Sequence, residues 1–239
     1  MPDSTARDIL VLAAHPDLAR SNATRVLLDA LRASPAAARV DLRDLYRLYP
    51  DFHIHIEAEQ EALQAARLVV MLHPIYWYSM PALQKLWLDE VLRLGWAYGP
   101  GGMALHGKDF WLVASTGGGM ESYAPGGHNH HSIDEFLLPY QQSAKTCGMH
   151  YLPPQILHAA HRATDADIQA HAQLFVKRLA NFPEWCQKLA APAVGDEEAV
   201  ELDERPPMFS AGIWTADPYS MKSSIAARRP GGVASSSLS

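Results

Sequence analysis

Three separated loops of the 239-residue chain have residue types that could bind one anionic, ring-bearing ligand. The first loop joins an apolar segment to a helix expected to begin at Ser21, and it contains His15, Ser21, Asn22, Ala23 and Thr24. The free N–H groups and the positive dipole end of a helix attract phosphate. The simpler interpretation is an ordinary turn in which Ser21 caps the helix.

The second loop follows the most continuous apolar run and contains Pro74, Ile75, Tyr76, Trp77 and Tyr78. Three consecutive aromatic residues are unusual in a turn, and a flat ring system gains from aromatic neighbours. The loop is therefore predicted to contact the flat ring of a ligand through its aromatic side chains. The alternative is a local aromatic cluster that covers the end of a sheet.

The third loop contains Thr116, Gly117, Gly118 and Gly119. Successive glycines let the backbone approach a ligand closely, and their N–H groups can stabilise a developing anion. The alternative is a flexible connection. Together the three loops provide for a phosphate, a ring and an anion, which favours FMN over a dinucleotide. The sequence also lacks a G-x-G-x-x-G fingerprint after its first strand.

Apolar runs that alternate with helical patterns must position these loops. The strands are expected at Ile9–Ala14, Arg39–Leu45, Leu68–Leu72, Phe110–Ser115 and Tyr151–Leu157. The helices are expected at Ser21–Arg32, Glu57–Ala66, Pro81–Leu94, Ser132–Cys147 and Asp165–Leu189. This alternation predicts an α/β three-layer sandwich with a five-stranded parallel sheet of order 2-1-3-4-5. In that order, the loops after strands 1, 3 and 4 open onto one edge.

The amino-acid composition of the chain changes near residue 190. Prolines interrupt any long helix beyond that point, and the end is rich in glycine and serine. We therefore predict one domain over 1–189 and an extended, partly disordered tail over 190–239.

Composition narrows the class of protein. The net charge is −6 with a pI near 6.0, and no run of Lys or Arg suggests binding to nucleic acid. Two widely spaced cysteines fit a reducing compartment. No signal peptide or membrane span is recognisable, so we expect a cytoplasmic protein that could still dock on a membrane protein.

At these loops the sequence resembles the NAD(P)H:quinone reductases of flavodoxin-like fold. Within that group it is most similar to the ancillary flavoproteins of glutathione-gated potassium-efflux systems. The resemblance covers roughly residues 8–188. It rests on blocks in the same order, namely His15-Pro16 with Ser21, Leu45–Phe52, Ala58–Leu63, His73–Ser79, Leu86-Trp87, Gly95–Gly99, Ala104–Lys108 and Thr116–Gly119.

The resemblance implies FMN, with FAD less favoured, in a homodimer whose active sites lie at the interface. It implies quinone reduction by NADH or NADPH, with flavin contacts at His15, Ser21–Thr24, Ile75–Tyr78 and Thr116–Gly119. Asn22 and Thr24 depart from the usual first-loop pattern, which leaves the individual phosphate contacts open.

Tyr123 and His128 look like the Tyr and His that related reductases place against the nicotinamide and the quinone. Their spacing is one residue shorter here. Both could instead be plain loop residues. The segment His128-x-His130-His131 is a weak metal candidate, because closely spaced histidines cannot all reach one ion from a helix, and we predict no metal.

Two other function classes remain open from the sequence. The resemblance allows a regulatory protein that docks on the cytosolic side of a potassium/proton antiporter and activates it. A pure electron carrier is less favoured, because a carrier needs no loops for nicotinamide or quinone.

Overall fold

A computed structural model describes residues 7–187. The predicted tail over 190–239 lies outside the described residues, as does the end of the predicted domain at 188–189. Within 7–187, every helix falls short of the length and apolarity that a bilayer span requires.

Five parallel strands form one sheet in the order β2-β1-β3-β4-β5, which confirms the predicted topology. The strands are β1 (Ile9–Ala13), β2 (Val40–Asp44), β3 (Leu68–Pro74), β4 (Asp109–Ser115) and β5 (His150–Leu157). In register, Ile9 lies opposite both Val40 and Leu68, so the strands start level with one another. Their carboxyl ends consequently share one edge.

Helices cover both faces of the sheet and complete the three layers. They are α1 (Thr24–Arg32), α2 (Leu45–Leu48), α3 (Ile56–Ala65), α4 (Ala82–Val91), α5 (Ile133–Thr146), α6 (Asp165–Ala180) and α7 (Glu184–Gln187). Short 3-10 helices lie at Leu18–Arg20, Pro35–Arg39 and Met120–Ser122.

Alternation along β1 shows how the sequence divides between the two faces. Ile9 and Val11 pack with α1 and α6, whereas Leu10 and Leu12 pack with α3, α4 and α5. All five residues of β1 are buried. A strand buried on both faces is typical of a parallel sheet between helical layers.

Helices α1 and α6 depart from their predicted boundaries. Helix α1 begins at Thr24, three residues later than expected, because Leu18–Arg20 forms a 3-10 turn first. Helix α6 ends at Ala180 and not near residue 189, because a turn containing Pro183 separates it from α7. Strand β5 tolerates Pro153 and Pro154 because it is an edge strand that pairs only with β4.

The opposite edge of the sheet, which we call the amino edge, is closed by charged side chains. Asp8, Arg39, Arg67 and Lys108 directly precede β1, β2, β3 and β4. Arg39 donates to both carboxylate oxygens of Asp8, at 3.0 and 2.7 Å, and to the carbonyl of Phe182 at 2.9 Å. Lys108 donates to the last carbonyls of the α3 segment.

Candidate functional site

The three predicted loops meet at the carboxyl edge of the sheet. The strand ladder continues into them, since the N–H of Ile75 donates to the carbonyl of Ser115 at 2.7 Å. The N–H of Thr116 likewise donates to the carbonyl of Leu157 at 2.9 Å. These bonds fix the starting points of the second and third loops on neighbouring strands.

The second loop is a tight two-residue turn, here called the aromatic turn (residues 75–79). Tyr76 and Ser79 exchange backbone hydrogen bonds of 2.9 and 3.0 Å, and Trp77 and Tyr78 between them have φ values of 48° and 64°. Two positive φ values define a type I′ turn, which normally takes Asn or Gly. Strained backbone held by bulky side chains is concentrated at functional sites.

Trp77 gains little from its own fold, because its side chain is 91% exposed. Tyr76 and Tyr78 are also exposed, at 44% each. The interpretation of this loop as a cluster that covers the sheet end therefore does not hold for Trp77. A large apolar ring left in solvent on a strained turn is better explained by contact with a ligand or partner.

The third loop, here called the glycine loop (residues 116–119), is held by the turn that follows β5. The N–H of Ala160 donates to the carbonyl of Thr116, and the N–H of Ala159 donates to the carbonyl of Gly118, both at 2.9 Å. Because a trans peptide places its N–H opposite its carbonyl, the N–H groups of Gly117 and Gly119 point away from that turn. Among the described residues, neither N–H has a hydrogen-bond partner.

Gly117 has space on its open side. A Cβ built there would meet nothing within 4 Å, and its φ is not in the left-handed region. The fold itself therefore does not require glycine at this position. Close approach of a ligand to the backbone explains the residue better.

A cavity of about 270 Å³ opens where the aromatic turn faces the glycine loop. It is lined by Ile75, Trp77, Tyr78, Gly117, Gly118, Ser122, Tyr123, His128 and Asn129. The fold thus brings Tyr123 and His128 to the same cavity as the two loops. Ser122 and Asn129 are lining residues that sequence reasoning missed.

Phe136, near the start of α5, contacts two tyrosines that line this cavity. Tyr78 stacks on its ring at 4.8 Å, and Tyr123 meets it edge-on at 6.0 Å. The hydroxyl of Tyr78 also donates to Oδ1 of Asn129 at 3.3 Å. Aromatic contacts of this kind contribute about 1 kcal/mol each beyond burial, so they hold the two tyrosines in place.

The first loop lies beside the aromatic turn and outside the cavity lining. The ring of His15 meets the ring of Tyr76 at 6.3 Å. Nδ1 of His15 accepts from the N–H of Asp17 at 3.1 Å, so a neutral His15 carries its proton on Nε2 and can donate there. Burial lowers the pKa of His15 despite nearby Asp17, which favours this neutral form.

The start of α1 completes the first loop. Ser21, Ala23 and Thr24 are buried and Asn22 is exposed. Ala23 is the N-cap and supplies no side-chain hydrogen bond, so the interpretation of Ser21 as the cap is wrong. Ser21 instead accepts from the N–H of Arg25 at 3.4 Å. Ser21 thus satisfies one N–H of the first turn, whereas the N–H groups of Thr24 and Val26 have no partner among the described residues and can attract an anion.

Pro74 and its neighbour His73 lie at the end of β3, where the aromatic turn begins. Pro74 ends β3 in register with Ser115. Its carbonyl accepts from Nδ1 of His73 at 3.0 Å, and His73 stacks on Tyr140 at 5.7 Å. Complete burial lowers the pKa of His73 to about 4, so this histidine is a neutral packing residue at physiological pH.

The histidine cluster after the glycine loop has local roles. Nδ1 of His131 lies 3.1 Å from Oε1 of Glu135, and Glu135 forms a capping box with Ser132 at the start of α5. His130 has a φ of 60° and lies in a turn. Within residues 7–187, no group of three or more His, Cys, Asp or Glu side chains could hold a metal ion.

A flavin fits these features. The unpaired N–H groups of Gly117 and Gly119 suit the electron-rich pyrimidine edge of the ring, and the open side of Gly117 allows close approach. The cavity is near the lower end of the range for small-molecule sites, so it suits a ring system. The phosphate would need a second subsite, and the start of α1, with its unpaired N–H groups of Thr24 and Val26, is the candidate.

Comparisons with known proteins agree with this fold. A family model described as flavodoxin-like fold matches residues 7–179. The glutathione-regulated potassium-efflux system ancillary protein KefF of Salmonella heidelberg is 44% identical over 171 residues, which are 72% of this chain and 94% of that protein.

Two solved structures are similar over most of their length. The general stress protein 14 of Treponema denticola, in complex with FMN, has a TM-score of 0.68 at 34% identity, over 72% of this chain and 98% of that one. An NADPH-quinone reductase from P. pentosaceus has a TM-score of 0.65 at 29% identity, over 73% and 98%.

Proposed function

This chain belongs to the flavodoxin-like fold family, and from that premise we propose that it is an FMN-dependent NAD(P)H:quinone oxidoreductase. The observation that supports this most is the glycine loop. Its two unpaired N–H groups point away from the turn that follows β5, and the cavity beside the loop is lined by aromatic side chains and by Gly117, which has open space around it. The FMN-bound and quinone-reductase relatives support the same reaction class.

Each loop would hold a different part of FMN. His15 and the 21–24 segment at the start of α1 would bind the phosphate. Residues 74–78 would line one side of the ring, and residues 116–119 would donate to its pyrimidine edge. FAD would need room for a second nucleotide, and we retain it only as the less favoured cofactor.

Bound FMN supplies the chemistry of accepting and passing on a hydride. The protein must bind the two substrates in turn and orient them. NADH or NADPH gives up one hydride, and the quinone gains that hydride and one proton to become the hydroquinone. We assign Tyr123 and His128 to the second half, where each would donate a hydrogen bond to a quinone oxygen as negative charge develops there.

The cofactor assignment is tested by the absorption spectrum of the purified protein. Flavin bands, and FMN released on denaturation, are expected. A colourless protein that takes up neither FMN nor FAD would rule out the proposed activity.

The exchange of substrates is tested separately by steady-state kinetics with NADH or NADPH and a soluble quinone. Because both substrates are proposed to use one site in turn, double-reciprocal plots should give parallel lines. Intersecting lines would contradict the two-step exchange and leave the cofactor assignment intact.

We propose a homodimer, because Trp77 is left in solvent at the rim of the cavity. A second copy would cover it and complete the site. Sedimentation should give twice the chain mass, and Trp77→Ala should shift the equilibrium toward the monomer. A monomer at micromolar concentration with full quinone reductase activity would contradict this.

A regulatory role is the second candidate, because the KefF relatives are named as ancillary proteins of a potassium-efflux system. The protein would act in the cytoplasm and dock peripherally on an antiporter at the inner face of the membrane. Co-purification with that antiporter, and potassium efflux that depends on this chain, would support the role. Quinone reduction without either would limit the protein to catalysis.

The domain boundary also stays a proposal. We expect a chain ending at residue 189 to retain FMN binding, because the site residues and both core layers lie before that point. Loss of binding on truncation would show that 190–239 contributes.

A further inference from the structure

His158 lies directly after β5, at the same edge of the sheet as the candidate site. It is half-buried and does not line the cavity. Its Nδ1 nevertheless lies 3.2 Å from Oγ1 of Thr116, at the start of the glycine loop. Its ring also meets the ring of Tyr123 at 5.7 Å. One side chain outside the cavity thus contacts two of its walls.

The hydroxyl of Thr116 fixes the direction of this hydrogen bond. Oγ1 of Thr116 lies 2.8 Å from the carbonyl of Gly118, and a carbonyl can only accept. The single hydroxyl proton is therefore used there. Nδ1 of His158 must then be the donor, so a neutral His158 carries its proton on Nδ1.

The resulting chain of bonds ends at the donors of the site. His158 donates to Thr116, Thr116 donates to the carbonyl of Gly118, and the peptide of Gly118 sets the direction of the Gly119 N–H. The contact with Tyr123 adds to this, because a Cβ on Gly118 would lie 3.3 Å from the Tyr123 ring. Tyr123 therefore lies directly beside Gly118.

We propose that His158 is a positioning residue that aligns the glycine-loop donors with the pyrimidine edge of the flavin and supports Tyr123. This rests on the proposed function. Burial lowers the pKa of His158, although Glu121 acts in the opposite direction, and a neutral imidazole suits a fixed Nδ1–H donor. Donors held in place favour the more negative, reduced form of the flavin over the oxidised form.

The first arm of the test needs no flavin. Nitrogen-15 NMR of the histidine side chains in the flavin-free protein should find His158 as the Nδ1–H tautomer. The Nε2–H tautomer, with Nδ1 accepting, would overturn the proposal whether or not the protein binds FMN.

The second arm uses the FMN-bound protein and measures the midpoint potential and the affinity for oxidised FMN. His158→Leu removes the donor and should weaken binding of reduced FMN about tenfold more than binding of oxidised FMN, which for two electrons lowers the potential by about 30 mV. His158→Asn places an amide N–H near the position of Nδ1 and should restore most of the difference.

Two further variants serve as a second disruption of the bond and as a negative control. Thr116→Val breaks the same bond from its other end and should lower the potential in the same direction, which keeps the test valid if His158→Leu folds poorly. His161 is exposed on the same turn and its side chain makes no hydrogen bond, ion pair or ring contact within residues 7–187. His161→Leu should leave the potential unchanged. A wild-type potential in folded His158→Leu would overturn the proposal.

Discussion

The two edges of the sheet treat their polar groups in opposite ways. At the amino edge, Asp8 and Arg39 form a two-point ion pair. The guanidinium groups of Arg39 and Arg67 also lie over the ring of Phe182, at 5.8 and 5.4 Å from its centroid. At the carboxyl edge, the N–H groups of Gly117 and Gly119 find no partner among the described residues. The polar groups of the amino edge bond to one another, whereas these donors of the carboxyl edge remain unpaired within the described residues.

Backbone conformation follows the same division. Trp77, Tyr78 and Ala159 all have positive φ and all belong to carboxyl-edge loops. Such conformations cost about 1 kcal/mol or more for residues other than glycine. Backbone strain and unpaired donors therefore coincide at the edge where we place the flavin.

The largest expected effect is a loss of stability at acidic pH through His73, which lies at the carboxyl edge. Because burial lowers the pKa of His73 to about 4, the unfolded chain binds its proton first as the pH falls. The free energy of unfolding contributed by a neutral His73 is complete above pH 6.5 and is lost between about pH 6.5 and pH 4, by about 3 kcal/mol.

Urea unfolding of wild type and His73→Leu at pH 7 and pH 4 measures this loss, and the variant should lose less stability on acidification. His171, whose pKa is lowered to about 4 by burial and by Arg178, leaves a residual slope of the same sign. His53→Leu, at an exposed position, should keep the wild-type slope. Equal slopes in all three proteins would contradict the assignment.

The second largest effect is expected from removing the Asp8–Arg39 ion pair at the amino edge. Asp8→Ala leaves Arg39 without its two-point partner, and both side chains are largely buried, at 16% and 27% exposure. We expect the free energy of unfolding to fall by about 2 kcal/mol, between the values typical of exposed and buried pairs. FMN affinity should not change.

Asp29→Ala is the matched control, since Asp29 pairs with Arg25 and Arg32 on the exposed face of α1. Its loss should cost less than about 0.5 kcal/mol. If Asp8→Ala weakened FMN binding at unchanged stability, the division between the two edges would be wrong.

In contrast to Asp8→Ala, Gly117→Ala should lower FMN affinity and leave stability unchanged. The added methyl group meets nothing in the fold, so stability should stay unchanged. On our proposal, it would occupy space beside the bound ring. We expect FMN affinity to fall about tenfold, or about 1.4 kcal/mol. Fluorescence titration measures the affinity.

Gly126→Ala is equally unobstructed and lies outside the cavity lining. It should bind FMN as wild type does. Equal affinities for the two variants would place the ligand elsewhere.

The smallest effect concerns the aromatic turn. Trp77→Asn suits the left-handed backbone and gives up little burial, so the free energy of unfolding should rise by about 0.5 kcal/mol. FMN binding or quinone turnover should fall, because a wall of the site is lost. Trp77→Phe keeps an aromatic ring and should change neither by much. A variant Trp77→Asn that is both less stable and fully active would show that the turn is not strained for function.

Sequence periodicity alone determined the architecture. Runs such as Ile9–Ala13 are apolar at every position, and the helical segments between them repeat their apolar residues at helical spacing. Those patterns are local properties of the chain, and the sheet order follows from general rules for such units. The resemblance in the loop sequences then indicated a flavin, and the family comparison agrees.

Only the tertiary structure decided which groups of those loops are available. The directions of the Gly117 and Gly119 N–H groups depend on Ala159 and Ala160, some 40 residues further along the chain. The alignment of Tyr78 with Tyr123 depends on Phe136. A peptide is oriented by its hydrogen-bond partner and a ring by its packing neighbours, and residues distant in sequence become partners only when the chain has folded.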